Sequence, residues 1–122
     1  MSRRSAATLS LDLDNLWAYR RTRGEAERAA VDSFLDVAVP RILALLARCE
    51  LRITVFVVGR DLTLPGVPAL VRAIADAGHE IGNHSLDHAI DLHRADAAHL
   101  TADFDAAEHL IGEAAGCRPC GF

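Results

Sequence analysis

The sequence has 122 residues, a length that allows one small domain with a single hydrophobic core. Hydrophobic residues make up 51% of the chain and charged residues 25%, which is typical of a globular protein and excludes a disordered one. The formal net charge is −4 and no block of basic residues is present, so we expect no nucleic-acid partner.

The first predicted element is a β-strand over residues 8–14, where apolar and polar side chains alternate with a period of two. Asp12 and Asp14 share the polar face of this strand, about 6.6 Å apart at the usual rise per residue. Two carboxylates at the carboxyl end of a strand lie where α/β folds place their chemistry. These two residues are therefore candidates for a functional site.

Residues 15–30 show no clean period and are predicted to form a loop. This segment holds Trp17 and Tyr19, the only Trp and the only Tyr of the chain. It could cover a site as a lid, because long loops after strands often carry binding groups, or it could be fixed in place by the two aromatic rings. Both interpretations stay open at this stage.

The middle of the chain predicts a helix, a strand and a second helix. Residues 39–49 have helical spacing with Pro40 in the first turn. Residues 52–59 form a nearly continuous β-branched and aromatic run, typical of a strand covered on both faces. The second helix begins at Pro68 and ends before Gly78, and its predicted core face consists of Leu70, Val71, Ile74 and Ala77.

The last third of the chain predicts a short strand at residues 80–83, a loop with His84 and His88, and a final helix over residues 96–115. The apolar stripe of this helix is expected to face the core, with Asp103 off the stripe. Strands that alternate with helices predict an α/β fold with a parallel sheet. Closing a barrel needs roughly eight strands. Three strands are too few for closure, so we expect about three parallel strands with flanking helices in an open sheet.

The spacing of His84 and His88 indicates a metal site. Side chains four residues apart on a helical turn lie roughly 6 Å apart at Cβ, so two imidazoles can reach one ion. The carboxylates at the end of the first strand are where we expect a third ligand. Two histidines and one carboxylate suit Zn²⁺ with a position left for water, and they also suit non-haem Fe(II). The remaining aspartate could then act as a general base towards that water.

The other histidines and the cysteines are predicted to have no part in this site. Four histidines are expected to be structural or on the surface: His79, His93, His99 and His109. Cys49 is expected to be a small buried side chain. Cys117 and Cys120 form one Cys-x-x-Cys without the second pair of a four-thiolate zinc site, and they follow a helix rather than a strand, so no metal or redox role is predicted.

The expected compartment depends on two signals that the sequence does not show, a membrane span and a secretory signal peptide. No apolar stretch approaches the ~20 residues of a membrane span, so we expect no membrane partner. Residues 1–4 are basic, but the run behind them is interrupted by Asp12 and Asp14 and has no cleavage-type end. We therefore expect a cytoplasmic protein.

The stretch GHEIGNHSLDH, residues 78–88, resembles the histidine signature of the polysaccharide deacetylase family, the metal-dependent de-N-acetylases with NodB homology. LSLDLDN, residues 9–15, is similar to the aspartate signature of that family, in the variant where one residue separates the two aspartates. ITVFVVGRD, residues 53–61, resembles the strand between the two signatures. The resemblance extends from about residue 8 to the last residue of the sequence.

The resemblance implies a role for each matching residue. Asp14, His84 and His88 would bind Zn²⁺ or another divalent transition metal, and Asp12 would be the base that takes a proton from the water on that metal. Ser85 would hydrogen-bond locally beside the ligands. The implied reaction is hydrolysis of a carbon–nitrogen (non-peptide) amide bond, typically the N-acetyl group of a sugar, with release of acetate.

The resemblance also implies elements that this sequence does not include. Residues 116–122 resemble the family's approach to an Arg-x-Pro-Gly element, although in another register residues 118–121 would be that element. The resemblance therefore implies a partial (β/α) barrel of about three parallel strands, truncated before barrel closure, as a single incomplete domain over residues 1–122. This domain would be the N-terminal, metal-binding portion of a deacetylase. As a lone chain it should bind Zn²⁺ weakly and turn over acetylated sugars poorly or not at all, so whether it is an enzyme by itself stays open.

Two alternative functions fit parts of the sequence. Residues 11–15 resemble the nucleophile strand of haloacid-dehalogenase phosphohydrolases, with Asp12 attacking phosphorus and Asp14 as the acid. That class needs a lysine, which the chain lacks, and it leaves His84 and His88 without a role. The second alternative is a non-catalytic deacetylase-like binding module, in which an open sheet edge after the third strand could drive self-association.

Overall fold

A computed structural model of the chain describes residues 5–25 and 33–122, so residues 26–30 of the predicted loop lie outside the described residues. Strands and helices alternate along the described chain. The strands are β1 (Ser10–Leu13), β2 (Thr54–Val57) and β3 (Glu80–Asn83). The helices are α1 (Leu16–Thr22), α2 (Leu35–Arg48), α3 (Val67–Asp76) and α4 (Ala97–Ala115), with short 3-10 helices at Gly59–Thr63 and Leu92–Arg94.

The three strands form one parallel sheet in the order β1-β2-β3. Leu13 lies opposite Val57, and Val57 lies opposite Asn83, so the strands end level with one another. The residues that follow the strands therefore meet at one edge of the sheet. The prediction of an α/β fold with about three parallel strands and flanking helices, a partial (β/α) barrel, is confirmed.

The hydrophobic core lies where the helices pack on the sheet. Val55 and Val57 of β2 are 2% and 1% exposed, and α2, α3 and α4 each contribute buried aliphatic side chains. Fully burying a Val, Leu or Ile side chain stabilises a fold by about 1.5–3 kcal/mol. The core therefore fixes the sheet firmly enough to position the groups at its edge. Among the described residues, no helix has the length and apolar character needed to cross a membrane.

The start of the chain corrects the predicted loop. Residues Leu16–Thr22 form α1, and the Asn15 side chain caps this helix by accepting a hydrogen bond from the Leu16 N–H at 2.8 Å. The helix has only 7 residues, too few for a hydrophobic period to be visible in the sequence. Trp17 is 6% exposed, whereas Tyr19 is 49% exposed, so only Trp17 fixes the segment in place.

Further local predictions are wrong at the ends of helices. α2 begins at Leu35 rather than at residue 39, because Leu35 and Val39 are both buried and extend the apolar face one turn towards the N-terminus. Pro40 therefore lies inside the helix rather than in its first turn. Cys49 and Ala77 are exposed rather than buried, because each directly follows the last residue of its helix.

The outer edge of β3 is not open along its length. The Cys120 N–H donates to the Ile81 carbonyl at 2.9 Å, and the Asn83 N–H donates to the Gly121 carbonyl at 2.8 Å. The last residues of the chain thus run beside β3 and hydrogen-bond to it. These hydrogen bonds cover part of the edge after β3, and self-association through that edge stays a prediction.

Candidate metal centre

The site lies at the carboxyl edge of the sheet, where β1 and β3 end. Asp14 directly follows β1 and His84 directly follows β3, and the parallel register brings these strand ends level. His88 is reached by the loop that continues from His84. The topology therefore places one carboxylate and two imidazoles together from positions far apart in the sequence.

The three side chains converge on one point. His84 Nε2 lies 3.4 Å from Asp14 Oδ1, and His88 Nε2 lies 3.3 Å from the same oxygen. One ligand atom from each residue lies within 4.8 Å of the others, and the two imidazole centroids are 5.0 Å apart. The geometry satisfies the requirement that one ion can bridge all three, while their role as ligands stays a prediction.

The surroundings of Asp14 provide a test of whether these residues fit a cation. Its Oδ1 atom is buried and has no hydrogen-bond partner among the described residues. A buried carboxylate oxygen without a partner is unfavourable, and such groups commonly indicate a functional or ion-binding site. A divalent cation would satisfy this oxygen and two imidazole nitrogens at once, with the donor set that Zn²⁺ accepts. The residues present therefore fit a metal ion.

The candidate ligands are partly open to solvent, and Asp12 lies on the open side. The side chains of Asp14, His84 and His88 are 20%, 21% and 24% exposed, whereas Asp12 is 57% exposed. Asp12 Oδ2 lies 3.9 Å from His84 Nε2. Asp12 and Asp14 therefore both lie beside His84, and the role of Asp12 as a base stays a prediction.

The loop that carries the histidines is not helical, although their spacing suggests a helical turn. Ser85 and His88 have φ values of +66° and +47°, a region that non-glycine residues rarely occupy. Such residues cost about 1–3 kcal/mol each and persist where the surroundings determine the backbone. The two imidazoles therefore meet through a strained loop rather than through helical periodicity.

Polar side chains hold this loop in its unusual conformation. Asn83 Oδ1 accepts from the Ser85 N–H at 2.9 Å, and Ser85 Oγ accepts from the His88 N–H at 3.1 Å. Asp103 Oδ1, from α4, accepts from the Leu86 N–H at 2.9 Å. Ser85 therefore hydrogen-bonds locally, as the sequence predicts. The prediction that Asp103 lies outside the core-facing stripe of α4 is wrong. Asp103 is buried because its carboxylate accepts the hydrogen bond from the Leu86 N–H.

Glycine is required at position 82 by a close contact in the sheet. A Cβ atom at Gly82 would overlap the ring of Phe56, which lies on the neighbouring strand β2. The Phe56 ring centroid is 6.3 Å from that of His84. The glycine thus allows Phe56 to lie beside the histidine ring.

A second buried polar group lies next to the site and was missed by sequence reasoning. Asp61 is 1% exposed, and its Oδ1 accepts from Trp17 Nε1 at 2.6 Å and from Asn15 Nδ2 at 3.2 Å. Burial raises the pKa of Asp61, an effect that the hydrogen bonds from Trp17 and Asn15 partly offset. The sequence feature that could have pointed to this buried group is Asn15, a helix-capping residue type immediately after the Asp-Leu-Asp strand.

The remaining candidates lie outside the centre. Arg118 is 82% exposed and donates from Nε to Glu108 Oε1 at 2.7 Å, so it pairs with α4; which register matches the family's arginine element stays a prediction. His79 is buried, and its Nδ1 accepts from the Ile53 N–H at 3.3 Å; burial lowers the pKa of this histidine. Cys117 and Cys120 are exposed residues. The Cys120 Sγ nevertheless donates to the Ile81 carbonyl at 3.3 Å, and partial burial of this thiol raises its pKa.

The parallel sheet, its flanking helices and the Asp-His-His cluster at the carboxyl edge place this chain among partial (β/α) barrels with a candidate metal centre. The sequence profile of the family described as polysaccharide deacetylase matches residues 28–122. The chain belongs to the polysaccharide deacetylase family. The match includes His84 and His88, whereas Asp12 and Asp14 precede it. No match was found among curated proteins.

Solved structures of this family have the same fold. A protein from Mycobacterium smegmatis named as a polysaccharide deacetylase is 26% identical, with a TM-score of 0.74 over 92% of this chain and 40% of its own. A family 4 carbohydrate esterase from Streptomyces lividans, in complex with acetate, is 30% identical, with a TM-score of 0.60 over 66% of this chain and 41% of its own. The Bc1960 peptidoglycan N-acetylglucosamine deacetylase is 28% identical, with a TM-score of 0.58 over 64% of this chain and 35% of its own. The chain thus spans less than half the length of these relatives.

Proposed function

We propose that this chain provides the metal-binding part of a hydrolase that removes acetyl groups from N-acetylated sugars. The observation that carries the proposal is the approach of His84 Nε2 and His88 Nε2 to one buried oxygen of Asp14, which has no hydrogen-bond partner among the described residues. Family membership supports it, because two relatives are named as a carbohydrate esterase and a peptidoglycan N-acetylglucosamine deacetylase.

Asp14, His84 and His88 would hold Zn²⁺ or another divalent transition metal. Such an ion, when bound, lowers the pKa of a water ligand and polarises the carbonyl of an amide. Asp12 Oδ2, on the solvent side of the cluster, would accept the proton that the attacking water loses. The water oxygen bonds to the acetyl carbon, the carbon–nitrogen bond breaks, and the amine leaves with a proton while acetate is released.

The rate that we expect from this chain by itself is low. The chain covers 35% to 41% of the lengths of three relatives with solved structures. We propose that this span does not by itself provide all the groups that bind the sugar and protonate the leaving amine. The proposal also includes zinc as the particular metal, a sugar as the substrate and a cytoplasmic location.

Acetate release from N-acetylated chito-oligosaccharides, with and without Zn²⁺ or Co²⁺, tests the proposal. We expect slow, metal-dependent release that is lost in Asp12→Asn and retained in Asp76→Asn. Asp76 is the matched control, since it is an exposed aspartate that pairs only with Arg72 on α3 in the described residues. Equal release by the wild type and Asp12→Asn would contradict the assigned proton acceptor.

The same protein preparation separates the alternatives. Metal binding without any acetate release from these sugars would favour a non-catalytic binding module. Hydrolysis of a phosphate ester with Mg²⁺ would favour the phosphohydrolase alternative, which membership of the deacetylase family leaves without support. Absence of both metal binding and acetate release would contradict the proposed function.

A further inference from the structure

The loop between the two histidines is held from outside by two arginines that converge on Asp87. Arg60 Nη1 lies 3.1 Å from Asp87 Oδ1, and Arg21 Nη1 donates to the Asp87 carbonyl at 2.8 Å. Arg21 comes from α1 and Arg60 from the segment after β2. The residue immediately before His88 is thus tied to two separate parts of the fold.

Both guanidinium groups also pack on the ring of Trp17. The Cζ atoms of Arg21 and Arg60 lie 4.8 Å and 4.3 Å from the ring centroid, within the range of a cation–π interaction. The Trp17 ring meets the His88 imidazole edge-on, with centroids 6.4 Å apart and an interplanar angle of 87°. One aromatic ring therefore contacts both arginines and one of the candidate metal ligands.

Trp17 is itself fixed by buried groups. Its Nε1 donates to Asp61 Oδ1 at 2.6 Å, and its ring packs with Ala18 and Val58, which are 2% and 0% exposed. A ring held by a hydrogen bond and by buried neighbours cannot rotate freely. The contacts of the two arginines and of His88 with this ring consequently have a defined geometry.

We infer that Trp17, Arg21, Arg60 and Asp87 form an aromatic brace that positions His88 towards Asp14 and so sets the affinity and geometry of the metal centre. The inference rests on the proposed function, and it assigns positioning roles to residues of α1 and of the segment after β2. Groups that orient metal ligands typically change metal affinity by 10- to 100-fold when they are removed.

A positioning role and a simple charge effect predict opposite results for the arginines. A guanidinium near a cation site repels the ion, so by charge alone the loss of an arginine should tighten metal binding. In the brace, loss of the same arginine frees Asp87 and His88, so binding should weaken. The direction of the change in affinity therefore separates the two effects.

The experiment titrates the purified 122-residue chain with Co²⁺ and records both the dissociation constant and the visible absorption spectrum of the bound ion. We expect Arg60→Gln and Arg21→Gln to bind Co²⁺ about 10-fold more weakly or worse, with an altered spectrum. The matched control is Arg72→Gln, which removes an exposed arginine of an (i, i+4) ion pair on α3 and should bind Co²⁺ as the wild type does.

Pairwise coupling tests the route through Asp87. If Arg60 acts through this carboxylate, the double variant Arg60→Gln/Asp87→Asn should lose no more affinity than the more damaging single variant. Losses that add in full would show that Arg60 acts independently of Asp87 and would overturn the brace as described.

The outcomes distinguish the brace from the metal centre itself. The brace is overturned if the wild type binds Co²⁺ and both arginine variants bind it as tightly or more tightly, with an unchanged spectrum. That result would leave the proposed function intact. No Co²⁺ binding by the wild type would overturn both. If Arg60→Gln does not fold, Arg60→Lys keeps the charge but loses the planar fork, and wild-type affinity in that variant would equally overturn the brace.

Discussion

Substituting Asp103 with alanine should release the histidine loop and lower stability. The Asp103 carboxylate is 8% exposed and accepts the Leu86 N–H at 2.9 Å. A hydrogen bond to a charged group contributes about 1.5–3 kcal/mol to stability. Alanine is a better helix former than aspartate by about 0.6 kcal/mol. The net loss in the free energy of unfolding is therefore about 1–2.4 kcal/mol.

Urea denaturation of Asp103→Ala, followed by circular dichroism, measures this loss as a lower midpoint with an unchanged slope. Asp105→Ala is the matched control, because Asp105 is an exposed aspartate two residues further along α4. This control should be as stable as the wild type or gain up to about 0.6 kcal/mol. Equal stability of the two variants would refute the claim that Asp103 anchors the loop.

Two further predictions follow from Asp61 and Gly82. Burial raises the pKa of Asp61 above 3.8, so the unfolded chain loses this proton at a lower pH than the folded chain does. The Asp61 carboxyl therefore contributes most to the stability of the folded chain below about pH 4. That contribution is lost as the pH rises through the raised pKa of the folded state. Asp61→Asn should accordingly gain stability relative to the wild type between pH 4 and pH 7 in urea titrations, and a gain that shrinks with pH would contradict this sign. Gly82→Ala should lose about 1–3 kcal/mol of stability by overpacking against Phe56. The control Gly112→Ala should lose none, because a Cβ at Gly112 meets only an ordinary contact at 3.8 Å. Equal losses of the two variants in urea denaturation would argue against the close contact at Gly82.

The parts of this fold that depend on local pattern could be predicted from the sequence. β3 has the predicted bounds, because Glu80–Asn83 is a short run between a glycine and the histidine loop. Asp12, Asp14, His84 and His88 could be grouped as candidates from the sequence, because the two aspartates lie at the carboxyl end of the first predicted strand and the histidines lie in the loop after the third. In a parallel sheet such positions must share one edge.

The parts that depend on tertiary contacts could not be predicted. The left-handed backbone at Ser85 and His88 is held by Asn83 and Asp103, and no sequence spacing signals that arrangement. A buried aspartate on α4 breaks the apolar stripe, so Asp103 was placed on the wrong face. α1 is too short for its period to show, and its role becomes visible only through the contacts of Trp17.

Anomalous X-ray diffraction at the zinc edge, on crystals of the chain grown with Zn²⁺, tests the metal centre most directly. We expect one strong peak within about 2.0–2.2 Å of Asp14 Oδ1, His84 Nε2 and His88 Nε2, the bonding range of zinc to oxygen and nitrogen ligands. A peak that lies instead at Cys117 and Cys120, or the absence of a peak at the Asp-His-His cluster, would contradict this expectation.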